Sequence, residues 1–94
     1  MFIFLTAPLS ASIEPQVQTV DYGRPATLTC QPEGNPIKSI GWMKDGQVLG
    51  GQTEPVLRID QVRREDKGMY QCFVRNDQES AQASAELKLG GRCK

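Results

Sequence analysis

Two cysteines set within alternating apolar segments constrain the fold of this chain more than any other feature. Cys30 follows Ala26 and Leu28 at alternate positions, and Cys72 occupies the centre of the segment 70–74, where Tyr and Val stand two positions away on either side. Side chains of a strand point to opposite faces in turn, so both cysteines face inward with apolar neighbours. This phase, at a separation of 42 residues, predicts a buried disulfide that contributes roughly 4 kcal/mol in chain-entropy models and requires an oxidising compartment.

The third cysteine is predicted to stay outside this bridge. Three cysteines cannot all pair within one chain, and Cys93 follows Gly90, Gly91 and Arg92 close to the C-terminus. We therefore assign it no function.

Short alternating segments run along the whole sequence and are separated by Gly, Pro, Asn and Asp, which is the pattern of an all-β sandwich. The strands from Val56 to Asp60 and from Ala81 to Leu89 alternate most clearly, and Asp45-Gly46 predicts a tight hairpin turn. No segment keeps a helical apolar spacing. The residues predicted to face inward are Ala26, Leu28, Cys30, Ile40, Trp42, Leu57, Ile59, Tyr70, Cys72 and Val74.

Composition excludes several classes of function. Eleven basic residues balance eleven acidic ones, so the chain lacks the positive field that nucleic acid or an anionic membrane requires. It contains no histidine, which removes the usual general base, the commonest metal ligand and any Ser-His or Cys-His pair. We therefore expect no enzyme activity, no cofactor and no metal.

A chain of 94 residues holds one domain. We expect residues 1–7 to be a linker or terminal extension that adds little to the core, residues 8–90 to be the domain, and residues 91–94 to be a linker or remnant. The apolar segment Met1 to Leu5 is too short for a signal peptide, and nothing approaches the roughly 20 apolar residues of a membrane span. We interpret the chain as a piece of a longer extracellular protein.

Two motifs resemble those of immunoglobulin domains. Cys30, Trp42 and Cys72 have the spacing in which an indole packs on the disulfide between two sheets. The second motif, Asp-x-Gly-x-Tyr-x-Cys, places Tyr70 for a tyrosine corner and comprises Asp66, Gly68, Tyr70 and Cys72. Few residues separate the Asp45-Gly46 turn from Val56, so the extra strand pair of a variable domain does not fit. The predicted fold is an immunoglobulin-like two-sheet sandwich of the intermediate set (I-set) with one disulfide between the sheets.

Within that set the chain resembles the Down syndrome cell adhesion molecule (Dscam) family of arthropods, and specifically its alternatively spliced seventh immunoglobulin domain. The resemblance implies the extracellular part of a single-pass neuronal and immune receptor, whose domains pair with identical copies and with neighbouring domains of the same chain. Cys93 and Lys94 depart from the family pattern. The matching stretches are Gly23 to Thr27, Gly34 to Lys38, Trp42 to Gly46, Glu65 to Ala81 and Leu87 to Arg92.

Two outward faces compete as the surface for self-pairing, and a third possibility is that neither face binds specifically. The resemblance favours the first face, and so does the placement of Arg58 and Asp60, because two opposite charges on one face suit a two-fold contact. The second face offers apolar anchors. The first face comprises Gln18, Thr27, Thr29, Gln31, Val56, Arg58 and Asp60, and the second Met43, Gln71, Phe73 and Arg75.

Two other functions stay open from the sequence. One is a structural spacer, as in intracellular filaments built from the same fold. The other is recognition of a different ligand or a pathogen by the same receptor.

Overall fold

The structure is a computed structural model that describes residues 7–90. Within that range the chain forms eight strands and one short 3-10 turn, Arg64–Asp66. Cys93 and the expectations for residues 1–6 and 91–94 lie outside the described residues. The strands are β1 (Ala7–Glu14), β2 (Val17–Asp21), β3 (Ala26–Asn35), β4 (Ser39–Lys44), β5 (Gln47–Val48), β6 (Val56–Ile59), β7 (Gly68–Arg75) and β8 (Ser80–Gly90).

These strands form two sheets. The three-stranded sheet has the order β1-β3-β6, and the five-stranded sheet has the order β2-β8-β7-β4-β5. All pairs are antiparallel except β2 with β8, which is parallel. After β5 the chain passes to β6 in the other sheet, so the described residues hold no further strand pair of the variable type. The predicted all-β immunoglobulin-like sandwich is confirmed.

The core lies between the two sheets, where the inward phase of the strands places it. The disulfide Cys30–Cys72 joins β3 to β7 and so links the sheets directly. Trp42 is fully buried and lies opposite Cys72 in the β4–β7 register, as the spacing predicts. The other buried members of the core are Ile13, Val20, Ala26, Leu28, Leu57, Val62, Tyr70, Val74, Ala85 and Leu87.

The first two strands belong to different sheets, which the sequence analysis did not foresee. β1 pairs with β3, and after Pro15 and Gln16 the chain crosses so that β2 pairs with β8. Proline has no amide proton for a ladder, so a break in pairing at Pro15 is expected. The alternation around Ile13 is visible in the sequence, with Ser12 and Glu14 exposed on either side of it.

The predicted hairpin turn joins β4 to β5. Lys44 pairs with Gln47, and the two residues between them have positive φ, 50° at Asp45 and 87° at Gly46. This conformation matches the twist of the strands it connects and favours glycine at its second position. The turn is therefore specified locally by its two residues.

The carboxylate of Asp45 ties this turn to β7. It accepts a hydrogen bond from the Met69 N–H at 3.0 Å and lies 3.0 Å from the Lys44 ammonium. Both contacts favour the ionised form, and they hold the pKa of Asp45 below its ordinary value. The carboxylate also explains Gly68, because a Cβ there would lie 2.6 Å from Asp45 Oδ2, and Gly68 has a φ of 145°.

Tyr70 makes the predicted tyrosine corner. Its hydroxyl donates to the Asp66 carbonyl at 2.5 Å, and Asp66 Oδ2 accepts from the Arg63 N–H at 2.9 Å. Burial of the phenol, followed by the charges of Asp66 and Asp45, raises the pKa of Tyr70 to about 12. The corner fixes the 3-10 turn against the start of β7.

Candidate protein-binding faces

The outer surface of the three-stranded sheet collects most of the first predicted face. Thr27 lies opposite Arg58 and Thr29 opposite Val56 in the β3–β6 register, so these four side chains form two adjacent rows. Gln31 lies further along β3, opposite Ser12 of β1. We call this surface the β3–β6 face; its predicted members are Thr27, Thr29, Gln31, Val56, Arg58 and Asp60.

Two predicted members stand at its margins. Asp60 follows the last residue of β6, one residue beyond the strand, and is exposed. Gln18 belongs to β2 of the other sheet and is half-buried. Its side-chain amide donates to the Thr27 carbonyl at 3.3 Å, so it closes the edge between the two sheets. Gln18 therefore lies at the edge of the β3–β6 face, on the neighbouring sheet.

The charges on the β3–β6 face are available for an external partner. Arg58 and Asp60 are both exposed, and within residues 7–90 neither forms an ion pair. Val56, beside them, is 43% exposed. An exposed apolar side chain next to unpaired opposite charges suits a protein contact in which the charges pair across the interface.

β1 supplies a part of this face that was not predicted from the sequence. Ser12 and Glu14 face outward and pair in register with Gln31 and Thr29. The polar positions alternating with Ala11 and Ile13 were the signal that could have identified them. A shallow depression on this side of the face is lined by Ser12, Ile13, Glu14, Pro15, Gln16, Thr29 and Gln31.

The second predicted face lies on β4 and β7 of the five-stranded sheet. Met43 pairs with Gln71 and Gly41 with Phe73, so the structure brings the predicted residues together. The Phe73 ring covers Gly41 so closely that a Cβ on Gly41 would overlap it. The Arg75 guanidinium lies 5.1 Å from the centre of the same ring. Phe73 is thus partly covered by its own domain.

Exposed apolar side chains extend this second face beyond the predicted set. Val48 lies opposite Met43 in the β4–β5 pair and is 67% exposed. Val17 and Met69 flank Glu86 in register across the sheet, with 56% and 45% of their surface exposed. The five-stranded sheet therefore offers more apolar area than the β3–β6 face, which has only Val56 among the large exposed apolar residues described.

The structure offers no competing chemical site in the range it describes. No cluster of three or more acidic, cysteine or histidine side chains among residues 7–90 could hold a metal ion. None of the described residues belongs to a helix long and apolar enough to cross a membrane.

Family comparison agrees with the fold. The family model described as "Immunoglobulin domain" matches residues 10–76, most of the chain. The chain belongs to the immunoglobulin domain family, which is not an enzyme family.

The similar proteins include cell adhesion molecules. The chain is 73% identical over 88 residues to cell adhesion molecule Dscam1 of Drosophila melanogaster, which covers 94% of this chain and 4% of that protein. The solved N-terminal four immunoglobulin domains of Dscam1 isoform 4.44 match with a TM-score of 0.88 and 73% identity, over 90% of this chain and 21% of that one. A second solved Dscam chain, described as a structural basis for Dscam isoform specificity, matches with a TM-score of 0.88 and 70% identity, over 90% and 22%.

These comparisons bear out the resemblance to Dscam, but they do not confirm the predicted position within the receptor. The chain spans about one twenty-fifth of the length of Dscam1. The matching isoform 4.44 structure comprises the N-terminal four immunoglobulin domains, of which the chain covers about one. Placement as the seventh domain therefore stays a prediction.

Proposed function

We propose that this chain is a homophilic adhesion module, one immunoglobulin domain in the extracellular part of a single-pass cell-surface receptor, and that it binds an identical copy through the β3–β6 face. The proposal rests on one observation above all. Arg58 and Asp60 lie exposed beside the exposed Val56 and form no ion pair within residues 7–90, in a domain 73% identical to part of a cell adhesion molecule.

A two-fold axis relates each contact to its own copy, so the face must complement itself. With the β6 strands of two copies antiparallel, Arg58 of each copy lies opposite Asp60 of the other, and one pair of opposite charges is used twice. Val56 adds exposed apolar area beside them. Thr27 and Thr29 supply neutral hydroxyls that carry no charge to repel an identical surface.

The acidic residues of β1 and β3 restrict the register in which two copies can pair. Glu14 and Glu33 face outward on the same sheet, while Arg58 is the basic residue of its central rows. Displacing the two copies along the strands would move Arg58 away from Asp60 and bring like charges together. Charge therefore favours one register of pairing and disfavours the others.

This mode of binding suits isoform-specific recognition. A small interface that buries at most about 800 Å² per partner is weak alone, since association also costs several kcal/mol of lost freedom. A change at one position of such a contact can shift binding from measurable to absent. The expected roles in neuronal self-recognition, axon guidance and immunity, and the pairing with neighbouring domains of the parent chain, follow from the Dscam resemblance.

Charge reversal tests the proposal. Sedimentation equilibrium over a range of concentrations is expected to show weak self-association of the parent domain. Arg58→Asp places like charges together across the two-fold axis and lowers association at least about tenfold. The added change Asp60→Arg restores pairing of the double variant with itself and not with the parent.

The second face provides the matched control. Phe73→Ala is expected to leave the association constant of the parent nearly unchanged. If Arg58→Asp associates as strongly as the parent while Phe73→Ala does not, the five-stranded sheet is the binding face and the β3–β6 proposal is wrong. A strictly monomeric parent at the highest soluble concentration would contradict homophilic pairing by either face and favour the spacer or a different ligand.

A further inference from the structure

The outer edge of β4 borders a groove that lies outside the β3–β6 face. β5 has only two residues and pairs with Met43 and Lys44, so among the described strands the first part of β4 pairs with β7 alone. The segment 49–53 passes beside the open part. We call the space between them the edge groove; it has a volume of about 320 Å³, and its walls include Ile40, Leu49, Gly50, Gly51, Phe73 and Arg75.

The backbone of Ile40 points into this groove. Neighbouring residues of a strand direct their N–H and C=O groups to opposite sides. Asp45 donates its N–H to Met69 on the β7 side, whereas the Trp42 carbonyl accepts from the Leu49 N–H on the β5 side. Ile40 is two residues from Trp42 and has the same orientation, so its N–H and C=O face away from β7.

The segment 49–53 does not pair with the N–H and C=O of Ile40. Its bonds to β4 are the Leu49 N–H to the Trp42 carbonyl at 2.9 Å and the indole N–H of Trp42 to the Glu54 carbonyl at 2.8 Å. The Gln52 N–H donates back to Leu49. Among the described residues no backbone bond joins the segment 50–53 to Ile40. The edge is therefore open for pairing with an external strand.

The residues that line the groove indicate which kind of peptide it would bind. Its walls are mostly apolar, and among the described residues that line it Arg75 alone is charged. The guanidinium is exposed and fixed near the Phe73 ring. An incoming strand that places a carboxylate beside Arg75 gains a charge-assisted hydrogen bond, while a basic strand meets a like charge.

We propose that the edge groove binds an extended acidic peptide segment of a partner protein by strand addition to β4. The peptide pairs with the N–H and C=O of Ile40, extends the five-stranded sheet by one strand, and directs a Glu or Asp side chain to Arg75. Main-chain hydrogen bonds supply the affinity and the carboxylate supplies the specificity, as in other cases of strand addition.

The test uses the whole chain and a capped peptide of about seven alternating Val and Thr residues with a central Glu. NMR titration is expected to shift the amide signals of Ile40, Trp42 and the segment 50–53 and to slow hydrogen exchange at Ile40. The same peptide with Lys in place of Glu is expected to bind about fivefold more weakly. A peptide with N-methylated backbone amides loses binding, because it cannot pair with β4.

Two variants locate the site. Gly50→Phe fills the groove without straining the backbone, since a Cβ at Gly50 meets no atom within 4 Å and its φ is not positive, and it is expected to abolish binding. Gln61→Phe, an equally bulky change at an exposed position away from the groove, retains it. Arg75→Gln is expected to remove the difference between the Glu and Lys peptides.

The opposite results would overturn the proposal. Equal binding of the N-methylated peptide, amide shifts confined to the β3–β6 face, or no shifts at millimolar peptide would each exclude strand addition at β4. Shifts at Ile40 that depend on protein concentration without any peptide would show that a second copy of the chain occupies the edge instead.

Discussion

Tyr70 connects the local geometry of a single residue to the pH dependence of the whole domain. The phenol is 2% exposed, donates to the Asp66 carbonyl, and lies near two carboxylates that oppose its ionisation. The folded state therefore holds the phenol proton more tightly than the unfolded state does. The free energy of unfolding changes with pH wherever the two states bind different numbers of protons.

Alkaline pH is predicted to destabilise the domain through this residue. The pKa of Tyr70 is about 12 in the folded state against an ordinary value of 10. The stabilisation that comes from this raised pKa is fully present below pH 10. It is lost as the pH rises toward 12, because the unfolded chain loses the phenol proton first. Urea unfolding across this range measures the effect.

Tyr70→Phe is the matched control for that titration. It removes the hydroxyl and is expected to cost about 1 to 2 kcal/mol at neutral pH through the lost hydrogen bond. All other ionisable groups are the same in both proteins, so only the parent carries the extra decline that belongs to Tyr70. If the free energies of unfolding of the two proteins change in parallel with pH, the folded state does not retain the Tyr70 proton as inferred.

Gly41 shows how a missing side chain organises the second face. The Phe73 ring occupies the space above Gly41, and Arg75 lies on the ring. In Gly41→Ala the ring must swing outward, which we expect to cost about 1 kcal/mol and to break the Arg75 contact. Thermal unfolding and the ring-current shifts of Phe73 measure both effects. Gly50→Ala, where a new Cβ meets nothing, serves as the control and is expected to leave both unchanged.

At the scale of the strand pair, the Asp45-Gly46 turn sets the register in which β5 pairs with β4. Gly46 has a φ of 87°, and an alanine there is strained by roughly 1 kcal/mol. We predict that Gly46→Ala lowers stability by about that amount and speeds hydrogen exchange at Met43 and Val48 more than in β3. Uniform acceleration throughout the sheets would mean that the hairpin is not a separate local unit.

The strands differ in how well the sequence predicts them. β3, β6 and β7 alternate cleanly about a buried cysteine or leucine, and their inward residues were predicted correctly. β1 and β2 are separated by Pro15 and Gln16 only, and their assignment to different sheets depends on pairing with β3 and β8, which are distant in sequence. Local alternation shows which side chains face inward, but it does not show which strand is the neighbour.

For the candidate faces too, the local pattern predicted which side chains face outward but not which strands lie side by side. The outward phase of Thr27, Thr29, Val56 and Arg58 was readable from period two, because a strand buried on one face must expose the other. The contribution of Glu14 required the β1–β3 register, which no local pattern contains. The edge groove depends on how short β5 is and on where the segment 49–53 passes, and both follow from tertiary packing.

At the scale of the whole molecule, adhesion by a single domain and adhesion by a receptor are expected to differ in strength by orders of magnitude. The chain covers 4% of the Dscam1 sequence, and the matching solved Dscam1 chain holds four immunoglobulin domains, so a receptor of that kind carries several domains on one chain. Once one contact forms between two receptors or two surfaces, the next occurs at high effective concentration. Linked contacts of this kind can raise avidity roughly 10² to 10⁴-fold.

This predicts that beads carrying many copies of the domain aggregate under conditions in which the free domain is almost wholly monomeric. Aggregation is expected to fall steeply with surface density, because it depends on simultaneous contacts, and to disappear in Arg58→Asp. Beads carrying Arg58→Asp with Asp60→Arg are expected to aggregate with one another and to separate from parent beads, since each pairs only with its own charge pattern. Mixed aggregates of the two bead types would show that the charges of the β3–β6 face do not determine which copies bind.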